Sequence, residues 1–235
     1  MVKSTSENAL KNRKKKKPGR SHRRSGRIGV RTHAPAQGLS SRKKGGGSPN
    51  ALFLVGFMGA GKSSVGRALG QRLNWVFEDL DDRIERRTGR EIADIFHDSG
   101  EPEFRRAEHE ALQEVLQELR QGVSRVVALG GGAFVEERNA KMLQNMRITT
   151  LFLDAPVEEL WERCCRQASE MGAERPLLRS RDQFRGLYQV RRKKYLAASV
   201  RIETGGRTLD AIADEIVQRL KLKKIEIRRE QGEVE

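Results

Sequence analysis

The sequence predicts an α/β domain with a parallel sheet covered by helices on both faces. Two observations carry this reading. Short apolar runs recur along residues 51–203, beginning with Ala51-Leu52-Phe53-Leu54-Val55, and segments with apolar residues at helical spacing lie between them. A run that is apolar throughout, rather than alternating, marks a strand buried on both faces.

In chain order, the run at 51–55 is stopped by Gly56, and Val65, Ala68, Leu69 and Leu73 give the first helix over 62–73. Trp75-Val76-Phe77 predicts a second strand that ends at Glu78-Asp79-Leu80-Asp81. The longest helix is expected at 103–121, with Phe104, Ala107, Ala111, Leu112, Val115 and Leu119 on one face. Residues 123–129 and 148–153 read as further buried strands. Pro156 suits the first turn of the next helix, where a missing N–H costs nothing. A helix at 182–197, a short strand Val200-Arg201-Ile202-Glu203 and a closing helix at 208–220 complete the pattern.

The charge of +15 is not spread evenly. Residues 1–50 hold 15 Lys/Arg and one acid, Glu7, while residues 51–235 keep 32 bases and 31 acids of the chain's 47 and 32. The body is thus close to neutral, and the basic character says little about what it binds. The first 50 residues have few large apolar side chains to offset the entropy of ordering, so a disordered basic arm and Gly-rich linker are expected there. Such an arm binds polyanions weakly and without sequence preference, and no specific nucleic-acid partner is expected. Cys164 and Cys165 are adjacent and match neither a disulfide framework nor a zinc site, which fits a reduced, cytoplasmic setting. No apolar run approaches the roughly 20 residues of a membrane span.

Gly56-Phe57-Met58-Gly59-Ala60-Gly61-Lys62-Ser63 fits G-x-x-x-x-G-K-[ST] between a strand and a helix. Glycines let backbone N–H groups turn inward around phosphate oxygens, and the helix N-terminus adds partial positive charge. Lys62 reaches the outer phosphates, and the Ser63 hydroxyl can ligate Mg²⁺. The motif predicts a nucleoside triphosphate as ligand. Asp79 and Asp81, two apart at a strand's C-terminal end, project to one side of the edge where open α/β sheets bind ligands. One could support Mg²⁺ while the other receives a substrate hydroxyl. The alternative for Asp81 is an N-cap ahead of Asp82-Arg83-Ile84-Glu85, and position alone leaves both readings open. Gly130-Gly131-Gly132 reaches the same edge, exposes backbone amides and leaves room for a small ligand. Arg105, Arg175 and Arg191 read from composition alone as surface residues.

In order and spacing, a larger set of residues resembles the shikimate kinase family. It comprises the run from Gly56 through Ser64-Val65-Gly66-Arg67, then Asp79-Leu80-Asp81 with Ile84-Glu85 and Arg87-Thr88-Gly89. Ile95-Phe96, Gly100-Glu101, Phe104-Arg105-Arg106-Ala107-Glu108, Ala128-Leu129-Gly130-Gly131-Gly132-Ala133 and Arg175-Pro176-Leu177-Leu178 continue it. The resemblance covers residues 51 to about 220 and implies a five-stranded parallel sheet of order 2-3-1-4-5, related to nucleoside monophosphate kinases. It implies transfer of the ATP γ-phosphate to the 3-hydroxyl of shikimate with Mg²⁺, a step toward chorismate and the aromatic amino acids.

Carried over by position, the resemblance gives Gly59, Ala60, Gly61, Lys62, Ser63 and Ser64 to ATP and Ser63 and Asp79 to the metal. Asp81 would hold a shikimate hydroxyl, Arg105 and Arg191 would grip its carboxylate, and Gly131 would add a backbone contact. Arg175 would fold onto the phosphates from a lid at about 169–181, and Arg163 resembles the arginine that lies against adenine. Lys62, Asp81 and Arg175 would be the catalytic groups. The implied layout is an arm at 1–50, a kinase domain at 51–222 and a charged tail at 223–235, with a monomer expected. Arg192-Lys193-Lys194 replaces the usual proline-containing stretch before Tyr195, which makes Arg192 the alternative clamp. A gluconate or nucleotide kinase of the same fold is the competing reading.

Overall fold

The computed structural model describes residues 50–171 and 180–225. The arm, Arg175 with most of the expected lid, and the tail beyond residue 225 lie outside them. The strands are β1 (Ala51–Val55), β2 (Val76–Asp79), β3 (Arg125–Ala128), β4 (Thr149–Asp154) and β5 (Val200–Glu203). The helices are α1 (Lys62–Leu73), α2 (Leu80–Thr88), α3 (Ile92–Leu119), α4 (Glu137–Asn145), α5 (Val157–Met171), α6 (Arg181–Tyr195) and α7 (Leu209–Arg219).

All strand pairs are parallel, in the order β2-β3-β1-β4-β5, the arrangement expected from the family resemblance. β1 is central, and every one of its five residues is buried. Fully burying Leu52, Phe53 or Leu54 contributes about 1.5–3 kcal/mol per side chain. From β1 the chain crosses through α1 to β2 on one side, and later through α4 from β3 to β4 on the other. The C-terminal end of β1 is therefore the switch point where such sheets open a ligand crevice. α1 packs over β2 and β3 and against α7. Gly66 permits this close approach, since a methyl group there would lie 2.2 Å from Phe77 Cε2.

The expected strands and the helices at 62–73, 182–197 and 208–220 are present with shifts of one or two residues. The longest helix differs. α3 begins eleven residues earlier than the apolar stripe at 103 indicates and breaks at Gly100, where φ is 76° and ψ is 176°. Pro102 then sits in the first turn of the second arm, where it forfeits no helical hydrogen bond. Only the start of α2 was legible, through the capping alternative at Asp81, and α4 was not legible as a helix. Each is nine residues long with only two buried side chains, too few to print a helical period.

Candidate active site

The loop from β1 to α1 holds the phosphate-binding motif. Gly59 and Gly61 take left-handed φ of 77° and 84°, and Ala60 N donates to Phe57 O at 3.2 Å to close the turn. Ala60 is buried beneath the loop, Gly61 is the N-cap of α1, and Ser64 is exposed in its first turn. No side chain fits at Gly59, where a methyl group would lie 2.8 Å from Leu160 O and 2.9 Å from Cys164 Sγ. Lys62 Nζ donates to Gly56 O at 3.1 Å and Phe57 O at 3.2 Å, which holds the ammonium across the mouth of the loop. Burial pushes its pKa down, while the Asp81 and Asp79 carboxylates push it back up.

Ser63 Oγ donates to Asp79 Oδ2 at 2.6 Å, joining the first residues of α1 to the end of β2. The other Asp79 oxygen accepts from Asp81 N at 3.2 Å. Asp79, not Asp81, is thus the N-cap of α2, which corrects the capping alternative. The reason is local. Asp79 has extended backbone at φ −96°, whereas Asp81 already lies inside the first helical turn. Asp81 is left free for another partner, and its Oδ1 is buried without a hydrogen bond. Burial and the neighbouring Asp79 charge raise its pKa to about 6, with Lys62 opposing.

The three glycines after β3 explain themselves through what each one faces. A methyl group on Gly130 would lie 2.5 Å from Asp81 Oδ1. On Gly131 it would lie 3.4 Å from Arg191 Nη1 and 3.9 Å from the Tyr195 hydroxyl. On Gly132 it would lie 2.3 Å from Arg105 Nη1. Three site residues from β2–α2, α3 and α6 therefore converge on three consecutive glycines, and a side chain at Gly130 or Gly132 would displace its facing group. Asn139, fully buried on α4, steadies the loop by donating to Ala133 O at 3.1 Å.

Arg105 lies beneath Gly132 in the second arm of α3, paired with Glu101 at 3.0 Å and Glu108 at 2.9 Å. Arg191 reaches the loop from α6, with its guanidinium 5.9 Å from the Phe57 ring centre. Among the described residues it pairs with no carboxylate, which leaves its charge available for an anion. Tyr195 fixes this end of α6 by donating its hydroxyl to Gly131 O. Arg192, the alternative clamp, turns away to Asp154 at 2.7 Å. Arg163 on α5 bridges Gly59 O at 3.3 Å, Thr204 O at 3.2 Å and the Glu159 carboxylate, placing its guanidinium beside the phosphate loop. Arg175 lies outside the described residues.

A further member of the site, Glu108, has no role that the sequence alone supplies. Glu108 is fully buried, holds Arg105 and leaves its Oε1 without a partner. Burial raises its pKa to about 7, with Arg105 pulling the other way. Oε1 lies 3.2 Å from the methyl position at Gly130, so two orphaned acceptors, one from Asp81 and one from Glu108, line the same small space. Such a space suits hydroxyl donors. The signal was present in the sequence, because an acid three residues after Arg105 interrupts the apolar stripe of α3.

Ser63 and Asp79 offer hard oxygen donors beside the phosphate loop, a donor set that fits Mg²⁺. Among the described residues no helix is long and apolar enough to cross a membrane. Fold and site together define a P-loop phosphotransferase, with the phosphate loop on one side of the crevice and a cationic, carboxylate-lined acceptor pocket on the other. Comparison with known proteins narrows the class. A family model described as Shikimate kinase matches residues 58–221. A shikimate kinase of Persephonella marina is 36% identical over 171 residues, covering 72% of this chain and 98% of that protein. The crystal structure of a shikimate kinase from Aquifex aeolicus superposes with a TM-score of 0.63 at 34% identity, covering 73% of this chain and 96% of that one. A shikimate kinase from Acinetobacter baumannii in complex with shikimate gives a TM-score of 0.63 at 35% identity, covering 73% and 92%. The chain belongs to the shikimate kinase family.

Proposed function

We propose that this protein transfers the γ-phosphate of ATP to the 3-hydroxyl of shikimate, yielding shikimate 3-phosphate and ADP, a step toward chorismate and the aromatic amino acids. The observation that carries the reading is the convergence of Asp81, Arg191 and Arg105 on Gly130, Gly131 and Gly132. A pocket with a carboxylate at one end and two guanidiniums at the other fits a small polyhydroxylated carboxylate. Family membership supports the same substrate.

In this reading Arg105 and Arg191 fork onto the planar carboxylate of shikimate, and the Gly131 backbone adds a contact. They fix the ring so that a hydroxyl meets Asp81. With a pKa of about 6, Asp81 is mostly ionised at neutral pH and can orient the hydroxyl or accept its proton. Lys62, the loop amides and the N-terminus of α1 hold the transferring phosphoryl group and the charge that develops on it. Arg163 lies against the base, and Arg175, which is outside the described residues, completes the contacts to the phosphates. Ser63 and Asp79 would hold Mg²⁺, which would neutralise phosphate charge when bound. The catalytic unit is residues 51–222, acting as a cytoplasmic monomer. The arm at 1–50 stands apart from catalysis and has no specific nucleic-acid partner.

The shikimate carboxylate does not change charge during transfer, so its two arginines contribute mainly to binding. Arg191→Ala is expected to raise the KM for shikimate by about a hundredfold and to move the KM for ATP less than about twofold. Arg105→Ala should do the same, with an added loss of stability because it strands Glu108 in the interior. Steady-state kinetics with each substrate varied in turn checks this. If neither arginine affects shikimate, the acceptor assignment is wrong and a gluconate or nucleotide acceptor takes its place.

A further inference from the structure

Asp154 ends β4 and is buried, yet it meets none of the groups assigned to substrate or nucleotide. Its carboxylate accepts from the Tyr188 hydroxyl at 3.0 Å, from Arg192 Nη2 at 2.7 Å and Nε at 3.3 Å, and from Arg201 Nε at 2.8 Å. Two of these three side chains belong to α6 and lie one turn apart. Tyr188, Arg192 and Tyr195 repeat at i, i+4 and i+7, so they form one stripe, with Arg191 on its flank. At the end of that stripe the Tyr195 hydroxyl donates to Gly131 O. α6 is therefore fastened at two points, to Asp154 through Tyr188 and Arg192, and through Tyr195 to the glycine loop that receives the substrate. Tyr195 lies about 10 Å beyond Tyr188 and about 4.5 Å beyond Arg192 along the axis, at 1.5 Å per residue.

Arg191 lies between Tyr188 and Arg192, the two residues held by Asp154, and one turn before Tyr195. A turn of one residue about the helix axis, roughly 100°, would present Arg192 to the glycine loop in its place. Hydrogen bonds from a guanidinium to a buried carboxylate are strong and directional, and two of them commit Arg192 to Asp154. That commitment leaves Arg191 as the arginine facing Gly131. The tie also belongs to the stretch where Arg192-Lys193-Lys194 departs from the proline-containing pattern of the family.

We propose that Asp154 is a positioning residue for the acceptor substrate. It sets the rotation of α6 so that Arg191, rather than Arg192, meets the shikimate carboxylate. The inference rests on the clamp role of Arg191 proposed above. Asp154→Asn keeps the shape and removes the charge that holds Arg192. It is expected to raise the KM for shikimate about tenfold while the KM for ATP stays within about twofold. Arg192→Ala loosens the same tie while Asp154 keeps Tyr188 and Arg201, and should shift shikimate in the same direction by a smaller factor. In an Arg191→Ala background, Asp154→Asn should add less than about twofold, because the residue it positions is gone. The full tenfold rise recurring in that background, an equal rise in the KM for ATP, or an unchanged KM for shikimate in the folded variant would each overturn the inference. Should Asp154→Asn fail to fold, Arg192→Ala carries the same comparisons. Arg191→Ala alone separates the two claims. If it leaves shikimate binding intact, the clamp itself fails and the role of Asp154 falls with it. A strong effect of Arg191→Ala with a silent Asp154→Asn sinks only the positioning role.

Discussion

Lys62→Ala is expected to lower kcat by about a thousandfold or more while the fold persists. Lys62 is the one side chain of the phosphate loop that carries a full positive charge, and its ammonium stands at the loop mouth on Gly56 O and Phe57 O. In the proposed reaction, charge developing on the transferring phosphoryl group would meet this ammonium, and one fixed donor aimed at such charge is worth several kcal/mol. The structural loss is small by comparison. Two carbonyls at the mouth of a loop lose a donor that water can replace, at about 1 kcal/mol. Circular dichroism and thermal melting should match the unsubstituted protein while turnover collapses. Near-normal turnover would mean that some other cation supports the phosphates.

Asp81→Asn is expected to lower kcat by about a hundredfold or more, with a smaller change in the KM for shikimate. The substitution keeps the size of the side chain and removes its capacity to take a proton. Helix α2 should be unaffected, because its cap is Asp79. The pH profile supplies a second readout. Burial and Asp79 raise the Asp81 carboxyl to about 6, so it is protonated below that pH and ionised above it. Activity that requires the ionised form therefore falls as pH drops through the region near 6, and that limb should vanish from the residual activity of Asp81→Asn. A variant with full kcat would show that the hydroxyl is activated elsewhere, with Glu108 as the nearest carboxylate across Gly130.

The strands were legible because buried parallel strands print uninterrupted apolar runs, as residues 51–55 do. The sheet order was not readable from those runs and came through the family resemblance. α4 and all of α2 beyond its capping alternative escaped for want of length, and the first arm of α3 because Ile95 is its one buried residue before Gly100. Within the site, the phosphate loop was legible because its chemistry is contiguous in sequence. Arg105 and Arg191 stand 86 residues apart in the chain and meet only because the glycine loop lies between α3 and α6. No local pattern distinguishes them from the other arginines of this chain. Nor could sequence decide which oxygen-bearing residue caps α2, since that depends on the backbone angle at Asp79. The tie from Arg192 to Asp154 is invisible for the same reason, because it joins residues 38 apart across a strand end.

The measurement that bears most directly on the assignment is ADP release by the purified chain with Mg²⁺ and ATP, with and without shikimate. ADP should form rapidly only when shikimate is present, in equal amount to shikimate 3-phosphate, with gluconate and nucleoside monophosphates giving no more than the background rate. Equal ADP release with and without shikimate, or a faster rate with gluconate or a nucleoside monophosphate, would contradict it.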